Sequence, residues 1–127
     1  MSGKETTRVL VIDDEQDFAF FVKKNLESHG KFEVSVCDKA SRALERVKTF
    51  KPDVVLLDMM MPERSGEEIA ADLREEEETE SVPIVFLTAL VREEETSTNE
   101  HVIGGHFFVS KPVKIDELIA VIRRAMG

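Results

Sequence analysis

Val54-Val55-Leu56-Leu57-Asp58-Met59-Met60-Met61-Pro62 is the stretch that decides the fold. Four apolar residues in a row end abruptly in a carboxylate. Val9-Leu10-Val11-Ile12 ends the same way, in Asp13-Asp14-Glu15. Short continuous apolar runs bounded by polar residues read as strands buried on both faces, and therefore as a parallel sheet. A carboxylate at the C-terminal end of such a strand lies where open α/β sheets bind ligands.

The remaining segments follow that reading. Strands are predicted over about 8–13, 32–37, 54–58, 84–88 and 106–110. Phe32-Glu33-Val34-Ser35-Val36-Cys37 alternates strictly, the mark of a half-buried edge strand. Helices are predicted over about 15–29, 40–50, from Ser65 onward, 92–103 and 114–126. The first should bury Phe18, Phe21, Val22 and Leu26, leave Phe20 exposed, and end at Gly30. The third should carry Ile69, Ala70 and Leu73 inward, and the last Ile115, Leu118, Ile119 and Ile122. The segment 92–103 is the least helical by composition, with Thr96-Ser97-Thr98-Asn99 at its centre. Gly104-Gly105 should end it.

Strands alternating with helices give a (βα)5 pattern, a three-layer α/β sandwich with right-handed crossovers. With the second strand at an edge and the first and third central, the flavodoxin-like parallel order 2-1-3-4-5 is predicted. The first and third strands are then neighbours at the topological switch point. Asp13, Asp14 and Asp58 meet in one crevice.

Composition narrows the function. The 127 residues, 42% of them apolar, suit one domain, and no output domain is expected within them. Seventeen basic against 26 acidic residues give a formal charge of −9. That disfavours nucleic acid and anionic membrane as partners of this domain, because phosphate contacts need a basic patch. The single cysteine, Cys37, reads as a small edge-strand hydrophobe. With no signal segment, it suggests a reducing cytoplasm. His29, His101 and His106 share no metal-ligand spacing. Met59-Met60-Met61 reads mostly as adaptable apolar packing.

The strand ends supply the chemistry. They gather Asp13 and Asp14, Asp58, Thr88 followed by Ala89, and Lys111 followed by Pro112. Two carboxylates about 4 Å apart repel by about 4 kcal/mol at an effective dielectric of about 20. A third worsens the site, so the cluster should attract a divalent cation. All-oxygen ligands favour Mg²⁺.

Asp13-Asp14, Asp58-x-x-Met61-Pro62 with Gly66 beyond, Thr88-Ala89 and Lys111-Pro112 occur in order at the right strand ends. With these residues the chain resembles the CheY-like receiver domain of two-component response regulators over nearly its whole length. The resemblance implies that Asp58 is the phosphoryl acceptor. It implies Mg²⁺ held by Asp14, Asp58 and the main-chain carbonyl of Met60, with Asp13 acting through water. Lys111 and the Thr88 hydroxyl would contact phosphoryl oxygens, and the small Ala89 would leave room. The donor would be a phosphohistidine on a sensor kinase or phosphotransfer protein, and Phe20 is a candidate contact for it. The Lys111–Pro112 bond would be cis. Thr88 and Phe108 would form the switch, read out on the surface of segments 92–103, 106–110 and 114–126. The domain would be a monomer or a weak phosphorylation-dependent dimer, with its output partner unnamed. Met60 and Leu90 would flank the phosphoryl group. Neither can position a water, so help with hydrolysis of about 10²-fold is missing and the phosphate should be long-lived.

Other classes fit less of the chain. A haloacid-dehalogenase-like phosphatase wants a second acid two residues after its nucleophile, where Met60 stands. A flavodoxin wants Ser, Thr and Gly in the first βα loop, where Asp-Asp-Glu-Gln-Asp would repel phosphate. A non-phosphorylated pseudo-receiver scaffold would not need the intact site.

Overall fold

The computed structural model describes residues 6–89, 102–103 and 106–127. Its strands are β1 (Thr7–Ile12), β2 (Phe32–Cys37), β3 (Val54–Asp58), β4 (Ile84–Thr88), β5 (Val102–Ile103) and β6 (His106–Ser110). Its helices are α1 (Gln16–His29), α2 (Ala43–Phe50), α3 (Gly66–Arg74) and α4 (Ile115–Met126). The sheet order is β2-β1-β3-β4-β6-β5. The first five of these strands are parallel, which is the flavodoxin-like order 2-1-3-4-5. β5 is an addition: it runs antiparallel to β6, with Val102 opposite Phe107 and Ile103 opposite His106.

That short strand corrects the helix predicted over 92–103 at its last two residues. Val102 and Ile103 are β-branched, and beside a strand edge they pair with it rather than extend a helix. The rest of that predicted helix lies outside the described residues.

The central strands are inaccessible on both faces, as their unbroken apolarity requires. Alternate residues serve the two helical layers. Val9, Val11, Val54 and Leu56 face α1 and α4, where Val22, Leu26, Leu118 and Ile122 meet them. Leu10, Ile12, Val55 and Leu57 face α2 and α3, against Val47, Ile69 and Leu73. β2 is the edge, and Cys37 at its end is buried. Phe21 does not join the core. Its side chain is 44% exposed, and Ala19 takes the inward place beside Val22. On a helix, residues 18, 19, 22 and 26 form the narrower stripe, and 21 falls at its rim.

Local chemistry starts and ends the elements. Gly30 closes α1 at φ 93°, a conformation glycine adopts without strain. A one-turn 3₁₀ segment, Ala40–Arg42, precedes α2. Ser65 and Glu68 form a reciprocal capping box at the start of α3. Beyond α3, the buried Thr79 hydroxyl donates to the carbonyl of Leu73 at 2.6 Å. At the N-terminal end of the sheet, Arg8 is a clamp. Its guanidinium donates to the Phe50 carbonyl and to Glu33, and lies 4.1 Å from the centre of the Phe50 ring.

Candidate functional site

Three strands deliver the site, and each is pinned one residue beyond its end. The Asp13 N–H donates to the Cys37 carbonyl at 3.0 Å, the Met59 N–H to Leu87 at 2.9 Å, and the Lys111 N–H to Thr88 at 2.9 Å. The register sets Asp13 level with Asp58, since Ile12 pairs with Leu57, whereas Asp58 pairs with Leu87 and Leu87 with Val109, so Lys111 stands two residues further along and its side chain reaches back. Asp13 is fully buried, and Asp58 and Thr88 are nearly so. Carboxylate oxygens of Asp13, Asp14 and Asp58 all lie within 4.8 Å of one another.

Lys111 reaches into this acid group. Its ammonium is 2.8 Å from Asp13 Oδ2, 2.8 Å from Glu15 Oε1 and 3.5 Å from Asp58 Oδ1. The approach to Asp13 Oδ2 is a charge contact, and that buried oxygen has no aligned hydrogen bond. Asp13 Oδ1 accepts the Glu15 N–H at 2.9 Å and so turns the chain into α1. Glu15 occupies the position before the helix, without a side-chain cap. The ring of Phe18 lies 4.5 Å from the Lys111 ammonium. The Lys111–Pro112 peptide bond is cis.

Proton affinities reflect the crowding. Burial first, and the charge of Asp13 second, push the Asp58 carboxyl up to about 6, against the opposing pull of Lys111 and the Met60 N–H. Burial likewise raises Asp13. For Lys111, burial pulls downward, but its contacts with Asp13 and Glu15 and the charge of Asp58 outweigh it and raise the ammonium above the usual lysine range.

The loop after β3 shapes the remaining wall. The Met60 N–H approaches Asp58 Oδ1 at 3.4 Å. Met60 bridges to Ser65, and the Gly66 N–H donates to the Met59 carbonyl at 2.8 Å. A Cβ on Gly66 would stand 2.5 Å from the Asp58 carbonyl oxygen, so only glycine permits this close return. Met61 is buried, whereas the Met60 side chain is 67% exposed and packs against nothing in the core.

Ala89 is exposed at the end of β4. Phe108 is half-buried and stacks on Phe86 at 5.4 Å. Leu90 lies outside the described residues. The structure thus brings Asp13, Asp14, Asp58 and Lys111 together with Thr88 at the adjoining strand end. Sequence reasoning passed over Glu15 and the second role of Phe18. Glu15 had a signal, since it follows Asp13-Asp14 directly. Phe18 carried none beyond its apolar spacing.

The arrangement suits a divalent cation on physical grounds. A buried carboxylate oxygen without an aligned partner and an all-oxygen donor set are what Mg²⁺ satisfies. Fold and site together define a flavodoxin-like α/β domain with an acidic centre at its switch point. A profile of the response regulator receiver domain matches residues 9–123, and the chain belongs to that family, the receivers of two-component systems.

The phosphate regulon transcriptional regulatory protein PhoB of Rhizobium meliloti is 34% identical over 116 residues, 91% of this chain and 50% of the relative. The DNA-binding response regulator MtrA of Mycolicibacterium smegmatis is 37% identical over 120 residues, 91% of this chain and 49% of the relative. The chain spans about half the length of these curated relatives. Among solved structures, the receiver domain of Francisella response regulator 1452 is similar with a TM-score of 0.76 and 29% identity, over 95% of this chain and 97% of that one. Vibrio cholerae chemotaxis protein CheY4, at 24% identity, shares the fold with a TM-score of 0.79, over 94% of this chain and 98% of that one. Among the described residues, no helix is long and apolar enough to cross a membrane.

Proposed function

We propose that this receiver accepts a phosphoryl group on Asp58 from a phosphohistidine of a sensor kinase or phosphotransfer protein. The observation that carries the reading is the meeting of Asp13, Asp14 and Asp58 with the Lys111 ammonium at the strand ends. An Asp58 carboxylate oxygen forms the new O–P bond as the N–P bond breaks, and the imidazole nitrogen keeps the electron pair. Asp14, Asp58 and the main-chain carbonyl of Met60 would hold Mg²⁺, with Asp13 acting through water. The cation supplies charge neutralisation between the carboxylate and the phosphoryl oxygens. Lys111 holds one phosphoryl oxygen, the Thr88 hydroxyl another, and Ala89 leaves space beside them.

Thr88 and Phe108 lie on β4 and β6, beside the surface expected to carry the signal. That surface comprises segments 92–103, 106–110 and 114–126. No nucleic-acid or membrane contact is assigned to this domain, in keeping with its charge of −9. The location is the cytoplasm, since relatives named as DNA-binding regulators act where DNA is.

The test is labelling with acetyl phosphate and Mg²⁺, with the site read by mass spectrometry. One phosphoryl group on Asp58, absent in Asp58→Asn and absent when the metal is chelated, is the expected result. Undiminished label in Asp58→Asn would overturn the assignment.

A further inference from the structure

Lys111 has more acid around it than phosphoryl binding requires. An ammonium has three N–H donors; three carboxylates surround this one, Asp13 and Glu15 at 2.8 Å and Asp58 at 3.5 Å, and among the described residues its aligned hydrogen bond goes to Glu15. The Phe18 ring covers a further side at 4.5 Å, and its face attracts the cation. A phosphoryl oxygen arriving on Asp58 must therefore compete with these carboxylates for the ammonium, and the aligned donor it would take is the one Glu15 holds.

The three acids are not equally able to give way. Asp13 is fully buried, and its Oδ2 has no aligned hydrogen bond, so losing Lys111 would leave a buried charge uncompensated. Asp58 is the group that carries the phosphoryl. The Glu15 side chain is 62% exposed and can turn to water. Its backbone meanwhile stays fixed, with its N–H on Asp13 and its carbonyl accepting the Ala19 N–H at 3.0 Å.

We infer that Glu15 is a displaceable acceptor that holds Lys111 in the unphosphorylated protein and competes with the phosphoryl group for it. This rests on the assignment of Asp58 above. Glu15 acts through Lys111, so it is a positioning residue. It sets the affinity of the site for a phosphoryl group without touching the acceptor oxygen. An exposed pair of this kind contributes modestly, so its removal should tighten binding of a phosphoryl analogue by about two- to five-fold.

The experiment compares wild type, Glu15→Gln and Glu15→Asp in two measurements. The first is a fluorine NMR titration with beryllofluoride in saturating Mg²⁺. The second is the side-chain nitrogen resonance of Lys111 in metal-free protein. Both variants should bind the analogue more tightly and shift the Lys111 resonance, because the shorter aspartate keeps the charge but not the reach. Glu15→Gln binding no more tightly than wild type would overturn the inference. So would Glu15→Asp matching wild type while Glu15→Gln tightens, since that would mean charge alone and no contact. Wild type failing to bind beryllofluoride would instead overturn the phosphoacceptor reading, and the Lys111 resonance would still report whether the Glu15 contact exists.

Discussion

Asp58 is held in an environment that disfavours its own charge. With a carboxyl pushed up to about 6 against a usual value of 3.8, the folded protein binds the Asp58 proton more tightly than the unfolded chain does. Its contribution to stability is therefore present below about pH 4 and lost as pH rises through about 6. Asp13 is shifted in the same direction and steepens the loss. A shift of about two units corresponds to about 3 kcal/mol at most. Urea unfolding of metal-free protein from pH 4 to pH 7, at fixed ionic strength, should show stability falling. Asp58→Asn should flatten the fall and exceed wild type in stability at pH 7. A wild-type curve that rises over this window would contradict the burial argument.

Among the elements, the β3–α3 connection carries the tightest requirement. Gly66 lets the chain return against the Asp58 carbonyl, and the capping box at Ser65 and Glu68 then starts α3. In Gly66→Ala the added methyl meets backbone, which cannot turn aside as a flexible side chain would. The variant should lose about 1–3 kcal/mol in denaturant unfolding, in the range of overpacked interiors. It should also weaken Mg²⁺ binding, because the loop bearing the Met60 carbonyl has to move. Stability and metal affinity both equal to wild type would show that the loop accommodates the methyl.

The elements also show what a sequence can reveal. Val9–Ile12 and Val54–Leu57 were legible as central strands because burial on both faces leaves no place for a polar residue. The alternation of β2 announced its edge. Phe21 was misplaced because spacing gives the direction of a stripe and not its width. The pairing of Val102–Ile103 with β6 depends on an unfilled strand edge, which no local pattern encodes. Asp13, Asp58 and Lys111 could be gathered from strand ends alone. The grip of Glu15 and Phe18 on Lys111 could not, since Glu15 lies 96 positions from Lys111 in sequence and Phe18 nearly as far, and only the placing of α1 against the end of β6 joins them.

The whole molecule has two unlike ends. At one, Arg8 ties β1, β2 and the end of α2 together; the Asp53 N–H donates to the Arg8 carbonyl, and the Arg8 N–H donates to Asp53 Oδ2, both at 2.8 Å. At the other, carboxylates crowd around a single lysine. The two apolar layers join these ends through the same strands, so the electrostatic cost at the acidic end weighs on the cooperative unfolding of the entire domain. Any ligand that neutralises that end and binds only the folded form adds its binding free energy to global stability.

The acidic centre therefore bears on how long each form of the protein survives in a cell. Proteases that cut transiently opened chains sample the unfolded population, and that population should be larger for metal-free protein than for protein whose acidic centre a bound ligand neutralises. Pulse proteolysis with a metal-independent protease across a urea series should show the Mg²⁺–beryllofluoride form surviving to higher denaturant than the metal-free form. In Asp58→Asn the gap between the two conditions should shrink. Equal survival of the two wild-type forms would separate signalling state from turnover. Longer survival of the Mg²⁺–beryllofluoride form would instead mean that degradation removes idle copies faster than loaded ones and enriches the surviving pool in the phosphorylated form.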